Sequence, residues 1–265
     1  MNDYRRIAIP KCIWGVGLNR EYSDKERWHL EDDTIKAIND YTRLTELVGV
    51  RDLMTVNFFQ KMDQTVQLIP CPSMFLLRDV QRKLKNKKSV AINLTDRSID
   101  SSRLFNTMTA IINYLRELAF EPVFVVHTLK EDEKWIDNYE ALNIEIFAAS
   151  SPENLMEFYK NQEFLVGMRG HSLIFATGAN IPMIALSYNQ KCDGHMALLG
   201  MNDYLIKYDD IYNADLIIEK IDLLLMNRDQ VKASIREKYW EFWDANMQFG
   251  RMLLNRIHRN DGKIV

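Results

Sequence analysis

The chain has 265 residues, 47% of them apolar, enough for a packed core in one large domain or two small ones. Its formal net charge of -3, from 34 basic and 37 acidic residues that are well mixed, excludes a global field for nucleic acid or an anionic membrane surface. No apolar stretch approaches the roughly 18 residues of a membrane helix, the N-terminus is too weak for a signal peptide, and three widely spaced cysteines suit reduced thiols, so a cytoplasmic protein is expected.

Residues 6–10 and 12–16 are short apolar runs that lead into Gly15-Val16-Gly17-Leu18-Asn19. This reads as a strand and a turn in which glycines let a backbone approach a ligand, so Gly15, Gly17 and Asn19 are candidate cleft residues. Residues 23–30 are too charged for a core and read as a loop, whereas 33–45 have helical spacing in Ile35, Ile38, Tyr41 and Leu44. A strand at 47–50 ends in Arg51-Asp52, a helix follows at 53–61, and a short strand at 66–69 meets a Cys71-Pro72-Ser73 turn.

Residues 78–88 (RDVQRKLKNKK) carry seven charges, six of them positive, between two apolar regions and read as a solvated linker. The expected division is therefore a first α/β domain at 1–80, a second at 81–228, and a long helical segment at 229–265.

Beyond the linker the alternation is regular. Strands are predicted at 89–94, 122–127, 144–147, 164–168, 182–187 and 204–207, with helices at 102–118, 131–139, 152–160, 172–177, 194–199 and 214–227 between and after them. Six strands separated by helices indicate a parallel, doubly wound sheet with right-handed crossovers. The helix at 229–258, apolar at Val231, Ile235, Tyr239, Trp243 and Met247, has the length to reach back over the first domain.

The chemistry concentrates in residues 164–191. One buried strand ends at Arg169-Gly170-His171-Ser172 and the next at Tyr188-Asn189-Gln190-Lys191, so two strands deliver Arg, His, Ser, Tyr and Lys from their carboxyl ends. In an open parallel sheet that edge binds ligands, and a helix start there favours an anion. His127 ends another strand and is a further cleft candidate, while His195 is expected to face solvent on a short helix. No His, Asp and Glu cluster has metal-ligand spacing, so no metal is expected.

The stretch 151–200 resembles the signature of the polysaccharide pyruvyl transferase family, with matches at Gly167, Arg169, His171, Ala176, Pro182, Tyr188, Lys191 and Gly200. Val50-Arg51-Asp52 is similar to a second family segment, and the turn at 15–19 to a third. The resemblance departs at Gly170, where the family usually has Leu, at Cys71-Pro72-Ser73, and at Thr55, which stands in a serine position. The family's opening strand, glycine loop and helix are not found upstream, so the first domain is expected to be truncated.

That resemblance implies two Rossmann-like domains similar to the glycosyltransferase B architecture, with the first on the acceptor side and the second on the donor side. It implies transfer of the enolpyruvyl group of phosphoenolpyruvate to two hydroxyls of a saccharide, giving a pyruvate ketal and phosphate. No cofactor is implied beyond phosphoenolpyruvate as co-substrate. The acceptor would be a saccharide, free or lipid-linked or nucleotide-linked, in exopolysaccharide or other cell-surface polysaccharide biosynthesis. Peripheral association with an assembly system and oligomer formation are compatible with it.

By the same resemblance Arg51 and Arg169 bind the donor, Gly170, Ser172 and Lys191 contribute to its site, His171 moves the proton, and His171 and Arg169 are the catalytic residues. Two alternatives stay open: a nucleotide-sugar glycosyltransferase of the same fold, with Asp209 or Asp210 holding a ribose, and a non-catalytic saccharide-binding member.

Overall fold

The computed structural model of the protein describes residues 11–19, 22, 30–77, 88–95, 97 and 99–260. The run expected as a strand at 6–10, nearly all of the charged loop at 23–30 and the basic stretch at 78–87 lie outside the described residues. By their contacts the residues group into two compact units. One comprises Met1–Asn19, Asp24–Pro72 and Trp240–Val265, the other Arg20–Ser23 and Ser73–Tyr239. The chain thus passes from one unit to the other at Pro72, ahead of the basic stretch where a boundary was expected, and the last stretch from Trp240 groups with the first unit.

In the first unit, β1 (Cys12–Val16), β2 (Leu47–Val50) and β3 (Gln67–Leu68) form a parallel sheet in the order β1-β2-β3. Helices α1 (Asp32–Arg43) and α2 (Leu53–Gln60) make the two crossovers. Asp32 and Asp33 in the first turn of α1 and Arg43 in its last complement the helix dipole. The Asp52 carboxylate accepts the Thr55 amide at 2.8 Å and caps α2. The core of this unit gathers Leu47 and Ile69 around Phe249, a residue of the long helix, whose ring meets Trp14 edge-on at 5.2 Å. Trp14 donates its indole N–H to Asn246 at 2.7 Å, and Asn246 donates to the Pro70 carbonyl at 3.1 Å.

The second unit has six parallel strands: β4 (Ser89–Asn93), β5 (Glu121–Val126), β6 (Glu145–Ala148), β7 (Leu165–Gly167), β8 (Met183–Leu186) and β9 (Leu205–Ile206). Their order is β6-β5-β4-β7-β8-β9, so the sheet grows outward from β4 in one direction, returns, and grows from β7 in the other. The crossover helices are α3 (Ser101–Glu117), α4 (Leu129–Glu140), α5 (Pro152–Lys160), α6 (Gly170–Ala179) and α7 (Gln190–Leu199), followed by α8 (Ala214–Met226) and α9 (Arg228–Asn260). Continuous apolar strands such as Val90, Ala91 and Ile92 are covered on both faces. Capping is explicit: Asp100 accepts the Ser102 and Arg103 amides, Ser151 precedes Pro152 and accepts the Asn154 amide, and Asn213 accepts the Leu216 amide.

Helices α6 and α7 begin earlier than their apolar pattern predicts. The Arg169 carbonyl accepts the Ser172 and Leu173 amides, which makes Gly170 the first residue of α6. Asn189 caps the amides of Lys191 and Cys192, so α7 opens at Gln190 and Lys191 sits in its first turn. His195, expected to face solvent, is instead buried on α7 with a ring nitrogen 2.8 Å from the Thr177 hydroxyl. None of Cys12, Cys71 and Cys192 is joined in a disulfide. Among the described residues no helix is long and apolar enough to cross a membrane.

Gly178, in α6, packs directly on the chain that enters the second unit. A Cβ there would lie 2.2 Å from the carbonyl oxygen of the fully buried Met74. Glycine to alanine in a helix normally gains stability, but this contact reverses the sign. Gly178→Ala is expected to lower unfolding stability by about 1–3 kcal/mol, read as a lower urea midpoint with an unchanged slope.

Candidate active site at the carboxyl edge of the six-stranded sheet

The strand order reverses between β4 and β7, and their exits define the position where ligands enter open α/β sheets. Arg169 leaves β7 there and turns its guanidinium across the end of β4. Its Nε donates to the Leu94 carbonyl at 3.2 Å, its Nη1 to Glu131 at 2.7 Å, and its Nη2 to Asp132. Both carboxylates belong to the first turn of α4, the helix that follows β5. Asp132 is fully buried and also accepts the backbone amides of His127 at 2.8 Å and Thr128 at 3.1 Å. One guanidinium therefore joins the exits of β4, β5 and β7. Burial opposes its charge, yet the two carboxylates raise its pKa on balance.

Beside this network stands a chain of polar groups. Ser172 donates its hydroxyl to the Arg169 carbonyl at 2.6 Å, and the buried Tyr159 hydroxyl lies 2.7 Å from His127 Nε2. Burial, with the positive charge of Arg169 and the neighbouring His171, pushes the His127 pKa down to about 3, so this imidazole is neutral at physiological pH. Phe175, one turn further along α6, stacks on His127 at 5.9 Å and lies 6.0 Å from His171. His171 is exposed in the first turn of α6.

The second unit thus brings together His127, Arg169, Gly170, His171 and Ser172. Arg169, expected as a donor-binding cation, has all three nitrogens engaged within the protein. Ser172, expected near a phosphate, is fully buried with its hydroxyl turned into the helix start. Lys191 is partly buried, and its Cβ is 3.6 Å from where a Cβ on Gly170 would lie, so the openings of α6 and α7 adjoin. Tyr188 is buried, and its carbonyl accepts the Tyr22 amide at 3.1 Å. Sequence reading missed Glu131, Asp132 and Tyr159, and only the acidic pair opening a predicted helix hinted at the first two.

The remaining candidates belong to the first unit. Gly15 has φ +65°, sits where the β1–β2 register shifts, and would place a Cβ 2.9 Å from Pro72 Cδ. At Gly17 a Cβ would lie 2.5 Å from Arg51 Nε and 2.5 Å from Asp52 Oδ2. In this structure both glycines therefore make room for the unit's own chain. Arg51 donates its amide to the Val16 carbonyl at 2.9 Å and holds Nε 3.8 Å from Asp52, while Asn19 is exposed. Within the same unit a cavity of about 760 Å³ is lined by Trp14, Ile38, Tyr41, Thr42, Thr55 and Phe59 among others. No group of three or more His, Cys, Asp or Glu among the described residues is placed to hold a metal ion.

Asp132→Ala would leave a buried guanidinium and two amides without an acceptor, and is expected to cost about 3–5 kcal/mol of unfolding stability by urea denaturation. His127 adds a pH dependence. The unfolded chain takes up its proton near the ordinary value of about 6.5, the folded chain only near 3, so the unfolded state binds more protons between these values. Stability is thus expected to fall as pH drops through that window, and His127→Gln to flatten the fall in urea midpoints measured at stepped pH.

No curated protein matches the chain. Solved structures do. The pneumococcal O-GlcNAc transferase GtfA in complex with UDP and GlcNAc superposes with a TM-score of 0.61 at 16% identity, over 92% of this chain and 52% of that one. A Staphylococcus aureus MnaA structure with UDP gives 0.58 at 12% identity, over 86% and 64%. WaaG, a glycosyltransferase involved in lipopolysaccharide biosynthesis, gives 0.53 at 14%, over 92% and 75%. The chain spans less than two thirds of the first two, and the likeness is one of fold, the Rossmann-like α/β architecture of glycosyltransferase B proteins. The sequence model of polysaccharide pyruvyl transferases matches residues 2–190, from the first unit through the β7–α6 turn to the opening of α7, and the chain belongs to that family.

Proposed function

We propose that the protein is a ketal pyruvyl transferase that moves the enolpyruvyl group of phosphoenolpyruvate onto two hydroxyls of one saccharide. The observation that carries this is the family match over residues 2–190, which includes an exposed imidazole, His171, opening a helix at the sheet's switch point. Phosphoenolpyruvate brings up to three negative charges in a small volume, and a helix start beside an arginine suits such a ligand. By helix geometry the Gly170 and His171 amides have no acceptor inside α6, so they are proposed to face the phosphoryl oxygens, with Arg169 supporting them.

In this reading His171 gives a proton to C3 of the enol while one sugar hydroxyl attacks C2 and releases its own proton. Phosphate then departs from C2 as the second hydroxyl closes the ketal, so one acceptor diol and one phosphoenolpyruvate yield one ketal and one phosphate. Imidazole suits this because it takes and gives protons near neutrality, and a positioned acid–base group contributes about 10²–10⁴ in rate. His127, neutral and bonded to Tyr159, keeps a second charge from forming beside it. The first unit is proposed as the acceptor side: its cavity of about 760 Å³ carries Trp14 and Tyr41, whose rings offer flat faces to a sugar or apolar faces to a lipid-linked carrier. No cofactor is required, and the cytoplasm, where a phosphorylated donor is available, is the proposed location.

Melting shifts with phosphoenolpyruvate and with UDP-sugars separate this reading from a nucleotide-sugar transferase, since a ligand of the folded state stabilises by RT ln(1 + [L]/Kd). Phosphoenolpyruvate is expected to raise the melting temperature and UDP-sugars to leave it unchanged; the reverse would sink the proposal. His171→Ala is expected to keep the phosphoenolpyruvate shift and to lower phosphate release with a diol acceptor by about 10²-fold or more. Undiminished release in that variant would remove the histidine's role.

A further inference from the structure

Glu131 stands between two guanidiniums. Arg169 donates to one of its carboxylate oxygens at 2.7 Å, and Arg97, on the chain leaving β4, donates to the other. We propose that Arg97 and Arg169 are the two arms of a phosphoryl-binding site, and that the Glu131 carboxylate occupies this site until a phosphoryl-bearing ligand displaces it. Arg97 becomes a binding residue, and Glu131 a built-in competitor. The identity of the ligand as phosphoenolpyruvate rests on the reading above; the anion site does not.

The two acids that hold Arg169 differ in what they can do. Asp132 is wholly buried and pinned by two backbone amides, so leaving would strand both amides and the guanidinium. Glu131 has 30% of its side chain exposed, its bonds are to arginine side chains, and water is available to it on release. Arg97 is 51% exposed and anchored through its amide to the Thr95 hydroxyl at 3.3 Å, which leaves its long side chain room to follow a larger anion. Both arginine bonds hold the Glu131 pKa below the usual carboxylate range, so it competes as a full negative charge. A phosphoryl group carries more charge and more acceptor oxygens than one carboxylate and can take both forks side by side. The amino end of α6 begins one residue after Arg169, so the incoming anion would also meet helix amides.

Isothermal titration of the intact chain with inorganic phosphate and with phosphoenolpyruvate at low salt tests this. Glu131→Ala and the isosteric Glu131→Gln are expected to bind inorganic phosphate about tenfold more tightly than the unaltered protein, and Arg97→Ala in the Glu131→Ala background to erase the gain. No tightening in either single variant, or a gain that survives removal of Arg97, overturns the proposal. Urea unfolding of each variant checks that the fold is kept, and Glu131→Gln preserves shape where alanine does not. If the variants gain phosphate affinity while phosphoenolpyruvate binds no better than phosphate, the anion site stands and the pyruvyl-transfer reading falls. If the unaltered protein turns phosphoenolpyruvate over and the Glu131 variants gain nothing, only the present inference falls.

Discussion

The pairing of Arg169 with Asp132 governs the second unit's functional edge. Removing two charges from water costs several kcal/mol per ion, and such a pair persists where its geometry is good and its remaining bonding capacity is filled. Here the filling is nearly complete: Asp132 takes two amides from the β5 exit, and Arg169 spans the β4 carbonyl at Leu94 and the opening of α4. Three strand ends are locked to one another by a single side chain, and the start of α6, with His171 on it, is held as a result. Rigidity at this edge comes from electrostatics, whereas the sheet below it is held by apolar burial.

A consequence for residue roles follows. An arginine beside an anion site can touch the ligand or hold the frame that presents the ligand's partners. Arg169 does the second through Asp132, and the Glu131 contact is the part of it that can be exchanged. His127 shows the same economy: its neutral ring joins Tyr159, Phe175 and the β5 exit into a packed support, while the exposed His171 is the imidazole with access to solvent. In the first unit, Gly15 and Gly17 are likewise taken up by their own neighbours, Pro72 and Arg51.

Much of the fold was legible because its signals are local. The six apolar runs of the second unit are strands with helices between them, buried except at the edge strand β6, and Ser151-Pro152 marked the start of α5 at the residue where it begins. The starts of α6 and α7 were misjudged because the deciding bonds come from groups outside the apolar pattern, the Arg169 carbonyl and the Asn189 side chain. The position of Arg169 at a strand end was readable from its neighbours in sequence. Its acid partners were not, since they lie on a helix separated from it by β6, α5 and β7, and no spacing rule connects such residues. His195 failed for a similar reason: Thr177, its partner, stands on the preceding helix across an intervening strand. The division into units at Pro72 is set by contacts between residues far apart in sequence, which composition does not report.

The strand order carries one implication for how this chain comes into being. β4, the first strand of the second unit to leave the ribosome, pairs at once with β5 on one side, but its other neighbour, β7, follows only after three helices and two strands have been made. Through that interval the nascent chain presents an apolar strand with a bare row of amides and carbonyls, the template on which β-rich aggregates grow. The arrival of β7 covers that edge, and the same arrival brings Arg169 to Asp132, so the pairing of β4 on its second side and the assembly of the functional edge are one step of synthesis, ahead of β8 and β9.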